Sequence, residues 1–178
     1  MSESLLAHAL LLVITACAAF TDLRTGQIPN WITLPPLLAA PLVYLLAGGP
    51  EALLSSAFGA LVCAAVPALV FFVSPAGMGG GDVKLLAAIG ALAGAYVGIE
   101  IELYSFLAIS AYALLVLAWR GQLRSALRNS VLTFLNLFLP RERRWPIVTE
   151  SMTTLRLGGA ILVASLYCLT LQHAELWP

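Results

Sequence analysis

Six apolar runs organise the chain, at residues 5–21, 31–47, 52–73, 85–99, 103–119 and 157–171. Each is continuous, with no alternation of apolar and polar positions, so β-barrel strands are excluded. A helix that crosses a bilayer needs about 20 largely apolar residues, within a range of about 17 to 25. The fourth and sixth runs reach that length only if flanking Lys84 and Arg156 snorkel to the interface. The pattern predicts an all-α membrane protein: six transmembrane helices in one integral-membrane domain over residues 1–178. Pro35, Pro36 and Pro41 in the second run and Pro67 in the third are read as shaping their helices.

Between the fifth and sixth runs the pattern changes. Arg120, Arg124 and Arg128 recur every fourth residue, while Leu123, Leu127, Val131, Phe134, Leu135 and Phe138 fall on another face. Residues 120–139 are therefore predicted to form one amphipathic helix on the membrane surface, with its arginines at anionic headgroups. Pro140 ends it, and Arg141, Arg143, Arg144 and Trp145 form a second anchoring cluster.

Composition narrows the class. The chain is 61% hydrophobic and 10% charged, with a mean hydropathy of +0.95. A soluble domain is about half apolar and about a quarter charged. An ordinary cytosolic enzyme, a disordered chain and a nucleic-acid binder are thereby excluded, and a net charge of zero argues against a diffuse electrostatic partner. Cys17, Cys63 and Cys168 all lie in apolar runs, and no C-x-x-C pair suggests a disulfide or metal framework. No Lys or Arg precedes the first run, so it reads as a retained helix and not as a signal peptide.

Charge placement gives an orientation. With six spans, all nine Lys and Arg residues fall on one side: Arg24, Lys84, and seven in or beside the long loop. Glu3, Glu51, Glu100, Glu102 and Glu175 fall on the other. The positive-inside rule makes the basic side cytoplasmic and puts both termini outside.

Only two aspartates occur, and the predicted topology brings both to the cytoplasmic side. Asp22 closes the first run, and Asp82 follows Gly79-Gly80-Gly81 just before the fourth. Carboxylates brought close together cannot both ionise comfortably, so one becomes a base and the other an acid. That is the equipment of an aspartic protease, which needs no metal and no cofactor. Each aspartate also has a plainer reading. Asp82 could cap a helix N-terminus, and Asp22 could be a solvated loop residue beside Arg24 and a Thr25-Gly26 turn. Gly79 and Gly81 would let an extended substrate lie against the loop. Pro29 and Asn30 read as the stiff, capped start of the second helix, and Lys84 as a phosphate anchor or an electrostatic neighbour of the pair.

Phe20-x-Asp22-x5-Ile28-Pro29-Asn30, followed by Gly79-x-Gly81-Asp82-x-Lys84, resembles the prepilin peptidase family of GxGD-type intramembrane aspartic proteases. The resemblance covers nearly the whole chain. It implies an endopeptidase of the bacterial cytoplasmic (inner) membrane that removes the short basic leader of a type IV prepilin at the cytoplasmic face. Asp22 and Asp82 would be the catalytic pair, Gly79 and Gly81 would shape the loop, and Lys84, Pro29 and Asn30 would be motif residues. Bifunctional relatives carry a cytoplasmic domain with paired C-x-x-C motifs and also N-methylate the product. Here about nine residues separate the first two helices and those cysteines are absent, so peptidase activity without methylation is expected. The short form looks like the dedicated peptidases of tight-adherence (Flp) pilus systems or like archaeal preflagellin peptidases, and the Ile28-Pro29-Asn30 wording with the Ala/Leu/Arg-rich, Lys-poor composition leans towards the bacterial Flp type. Some relatives have a proline motif entering the last helix, where this chain has Leu155-Arg156-Leu157-Gly158-Gly159.

Two other classes compete. A carboxylate-dependent transporter would use paired intramembrane acids, but its site belongs near the midplane of repeated, broken helices. A non-catalytic membrane subunit of a pilus or secretion machine would use the aspartates as caps, and would tolerate Asp→Asn.

Overall fold

A computed structural model describes residues 2–73, 78–140, 145 and 156–175. Among them there is no strand. The helices are α1 (Ser2–Thr25), α2 (Asn30–Val73), α3 (Gly80–Trp119), α4 (Leu123–Phe138) and α5 (Leu157–Glu175). α1, α2 and α3 are each long and apolar enough to cross a membrane, and α5 carries a shorter apolar stretch, Leu157–Leu171. Large apolar side chains such as Leu38, Leu46, Leu61, Phe72 and Leu103 are exposed along the long helices, as lipid-facing surfaces require. The chain divides into two compact units, Met1–Ala108 with Arg156–Pro178, and Ile109–Leu155.

The first unit is built on helical stripes of small and branched residues. Leu11, Thr15, Ala18 and Ala19 are buried along α1, and Leu157, Ile161, Ala164, Ser165 and Cys168 along α5. Their spacings follow the 3.6-residue period, and the small side chains let the two helices approach closely. Thr15 Oγ1 returns its hydrogen bond to the Leu11 carbonyl at 3.0 Å, so its burial leaves no polar orphan. Asp22 is the next position on the α1 stripe, and for that reason it too is buried.

α2 and α3 are each interrupted at a glycine. Gly49 has φ 74° and ψ −164°, and Gly94 has φ 82° and ψ 169°, conformations that only glycine adopts at low cost. α2 thus consists of 30–48 and 50–73, the second starting on Pro50. Proline suits a first helical position because its missing N–H has no helical partner there. The backbone stays helical through Pro35, Pro36, Pro41 and Pro67.

The break in α3 corrects the predicted boundary. It falls at Gly94, inside the predicted run 85–99, and the chain is helical through Glu100–Glu102. Two glutamates imitate a loop by composition, but Ile101, Glu102 and Ser105 are buried positions of one continuous helix. The break uses Gly94 at φ 82°, a conformation glycine takes at low cost. Carbonyls just before such a break lose their helical partners, and in a membrane each must be met by protein. Ser56 Oγ donates to the Ala91 carbonyl at 2.7 Å, and Tyr44 OH donates to the Leu92 carbonyl at 2.8 Å, both from α2. The halves meet at Gly90 and Gly98, where a Cβ on Gly98 would lie 3.0 Å from Gly90 Cα. Gly59 of α2 sits directly on the Gly90 backbone, where any Cβ would collide.

The segment Leu85–Leu92 is buried on every side, which makes it the central helix of this unit. Asp82 is carried on its first turn.

In the second unit, α3 ends after Trp119 in a glycine cap. Gly121 takes φ 67°, with Gly121 N donating to Ala118 O at 3.1 Å and Gln122 N to Leu117 O at 2.9 Å. This paired pattern closes a helix through a left-handed residue. It corrects the predicted single helix 120–139: Arg120 lies in the turn, and only Arg124 and Arg128 belong to α4. Leu127, Val131, Phe134 and Leu135 are exposed along α4. Its end is held by Asn136, whose Oδ1 accepts from Trp145 N at 2.9 Å and whose Nδ2 donates to Trp145 O at 3.0 Å. Of the second predicted anchoring cluster, Arg141, Arg143 and Arg144 lie outside the described residues.

Candidate active site

α1 ends in a left-handed glycine. Gly26 has φ 69°, and its amide donates to the Asp22 carbonyl at 2.9 Å, closing the last turn. The chain then doubles back through Gln27, Ile28 and Pro29 into α2, whose first turn is closed by Ile32 N donating to Pro29 O at 3.1 Å. This short link lies against the start of α3. A Cβ at Gly81 would come within 2.8 Å of Ile28 O and 2.9 Å of Ile28 Cβ, so the contact requires glycine.

The apposition creates an open cavity of about 320 Å³, lined by Asp22 and Asp82, by Gly26–Ile28 and by Gly79–Gly81. Four glycines and no aromatic residue make its walls, so backbone is accessible from inside. Of the sequence-predicted residues, Asp22, Asp82, Gly79 and Gly81 meet in this cavity. Pro29, Asn30 and Lys84 are outside its lining.

Each aspartate is held through one oxygen by a glycine amide. Gly79 N donates to Asp82 Oδ2 at 3.1 Å. Asp82 is the third residue of α3, so this bond reaches back to the amide before the helix, one half of a capping box. The plainer reading of Asp82 as a helix cap is thus realised, from inside the first turn, and it leaves the residue facing the cavity. Gly158 N, in the first turn of α5, donates to Asp22 Oδ2 at 2.9 Å in a buried bond. Asp22 is therefore no solvated loop residue.

Asp82 precedes the apolar run that begins at Leu85. Burial pushes its carboxyl up, the Asp22 charge adds to this, and the Gly79 amide works against both. The result is about 6 against an ordinary 3.8. Asp22 is thus near enough to Asp82 for the charges to interact.

Nearby cations are engaged elsewhere. Lys84 Nζ donates to Asn30 Oδ1 at 2.8 Å, joining the two motifs directly. Arg24 lies 4.3 Å from the centre of the Phe20 ring. Arg156 Nη1 donates to the Leu23 carbonyl at the end of α1. No group of three or more His, Cys, Asp or Glu positioned to hold a metal occurs among the described residues.

Arg156 and Gly158 were missed from sequence, since their segment lacks the expected proline. The available signal was the pair Gly158-Gly159 at the start of an apolar run, an unusual place for two poor helix formers.

Two carboxylates in a glycine-walled cavity, one of them biased towards its neutral form, can activate a water and protonate a carbonyl oxygen. No curated protein and no solved structure matches the chain significantly. The sequence model of the Type IV leader peptidase family does, over residues 9–117, a span that includes Asp22 and Asp82 and both motifs, and the chain belongs to that family.

Proposed function

We propose that this protein is an aspartic endopeptidase that cleaves the short basic leader from Flp-type prepilins at the cytoplasmic face of the bacterial inner membrane, without N-methylating the product. The observation that carries this reading is the shared cavity, with Asp22 and Asp82 on its walls and bare backbone between them. Asp82, held near 6, is the member that keeps the proton. Asp22 takes a proton from water, the hydroxide attacks the scissile carbonyl carbon, and Asp82 gives its proton to the carbonyl oxygen. On collapse the amine leaves with the proton held by Asp22, and Asp82 regains its own.

Six spans, with both termini outside, follow from reading the glycine breaks of α2 and α3 as turns between spans. The exposed apolar stripe of α4 supports a helix lying at the interface, with its Arg124 and Arg128, and Arg120 in the turn before it, at anionic headgroups. The short link between α1 and α2 leaves no room for a further catalytic domain there, which favours peptidase activity alone.

The test is co-expression with a Flp-type prepilin, reading leader loss by gel shift and the new N-terminus by mass. Wild type is expected to cleave and leave an unmethylated terminus. Asp22→Asn and Asp82→Asn, inserted to equal levels, are expected to lose at least about 100-fold in rate. Full processing by either variant would refute the aspartyl mechanism.

A further inference from the structure

We propose that Gly158 is a positioning residue for Asp22: its backbone amide fixes the carboxylate, and its lack of a side chain is what lets α5 come close enough to do so. The proposal rests on the reading of Asp22 as catalytic and extends the site to the last helix, beyond the matched residues 9–117.

Three observations converge. The bond from Gly158 N to Asp22 Oδ2 is 2.9 Å long and buried, and links residues 136 apart in sequence. An amide in the first turn of a helix has no helical acceptor, so it is free to hold the carboxylate. A Cβ on Gly158 would lie 3.0 Å from Asp22 Cβ, 3.0 Å from Asp22 Oδ2 and 3.2 Å from Ala19 Cα. Two of these atoms belong to the catalytic side chain and the third to the α1 backbone, so the strain of any side chain falls on Asp22. Gly159, one residue on, meets nothing within 4 Å. The neighbouring glycine is therefore a built-in control for generic loss of backbone freedom.

Arg156 completes the arrangement. Its guanidinium donates to the Leu23 carbonyl, so the start of α5 and the residue before it hold Asp22 and its neighbour Leu23 together. A cation at a helix C-terminus is also favoured by the helix dipole. The aspartate is thus aligned by the start of a helix distant in sequence.

The experiment is steady-state cleavage of a purified Flp-type prepilin by the full-length enzyme. Wild type, Gly158→Ala, Gly159→Ala, Asp22→Asn and Asp82→Asn are compared for kcat, KM and Tm. Gly158→Ala is expected to lose on the order of 100-fold in kcat with KM within about threefold of wild type, the scale of a small misplacement at a reacting centre. Gly159→Ala is expected to stay within about twofold. A wild-type kcat in Gly158→Ala, or equal losses in both glycine variants, overturns the proposal. Cleavage by the Asp→Asn variants refutes the aspartyl reading instead, so the two failures are distinguishable. A second measurement covers the case in which Gly158→Ala does not fold. In glycine-labelled protein, the Gly158 amide resonance should move and its exchange quicken in Asp22→Ala. An amide that stays unmoved and protected overturns the proposal independently.

Discussion

Lys84 and Asn30 are 54 residues apart in sequence and joined by a 2.8 Å hydrogen bond from the ammonium to the amide oxygen. The bond ties α3, just past the first turn that carries Asp82, to the first residue of α2. It gives Lys84 a role that differs from the phosphate anchor its position suggested. Asn30→Ala and Lys84→Met are each expected to lower the Tm, and the double variant to cost less than their sum. A coupling of about 1 kcal/mol is expected for a charge-assisted bond near the surface. Strict additivity in thermal unfolding would show that the pair does not act as a unit.

The acid–base assignment predicts the shape of the pH profile. Asp82 is raised to about 6, so it is protonated below that pH and ionised above it. If Asp82 delivers the proton, kcat/KM should fall as pH rises through about 6 to 7, and a rise over that interval would reverse the roles. The linkage to stability has a fixed sign. A carboxyl raised on folding binds more protons folded than unfolded, so stability drops as pH rises from about 4 to about 6. Asp82→Asn should make that slope shallower by the share Asp82 contributes.

Gly81 and Gly80 are adjacent but should respond oppositely. A Cβ at 81 meets Ile28 backbone at 2.8 Å, whereas one at 80 meets only Phe71 ring atoms at 3.8 and 3.9 Å. Gly81→Ala is expected to cost about 1–3 kcal/mol by forcing the link between α1 and α2 away, and to reduce cleavage with it. Gly80→Ala, in ordinary contact and on a helix, should be neutral or slightly stabilising. Parallel melting curves and cleavage rates decide it.

Ser56→Ala and Tyr44→Phe each remove a donor from a carbonyl before the Gly94 break. Each should cost about 1 kcal/mol, since a freed carbonyl in an apolar setting finds no water. Gly94→Ala is expected to cost more, because alanine at φ 82° is strained wherever it is placed. Unchanged melting of all three would show that the break is held by other means.

Much of the site was legible because its signals are local. Asp22 and Asp82 are the only aspartates, each beside turn-forming residues, and the glycine run before Asp82 announces close backbone contact. Orientation alone brings both to one face, since charge on the loops orders the spans, whereas the cavity they share follows from the packing of Gly81 against Ile28. The break at Gly94 was less legible. Composition points to Glu100 and Glu102 as a turn, whereas a turn needs backbone freedom, which Gly94 supplies. Arg120 was assigned to α4 by its spacing from Arg124 and Arg128, although Gly121 between them ends one helix before the next begins. The grip of Gly158 on Asp22 was not legible, because a backbone amide is the same in every residue except proline. Its choice of partner depends on how α1 and α5 pack.

The two hydroxyls that meet the Ala91 and Leu92 carbonyls also constrain the order of assembly. Both donors come from α2, which leaves the ribosome before α3. When the segment bearing Asp82 inserts, the groups that complete its valences are already waiting beside it. A chain in which α2 followed α3 would have to hold a broken helix open in oil until its partners arrived. The sequence order of the helices is thus an instruction for biogenesis as well as for architecture, and it places the completion of Asp22, by α5, after every other wall of the cavity has been made.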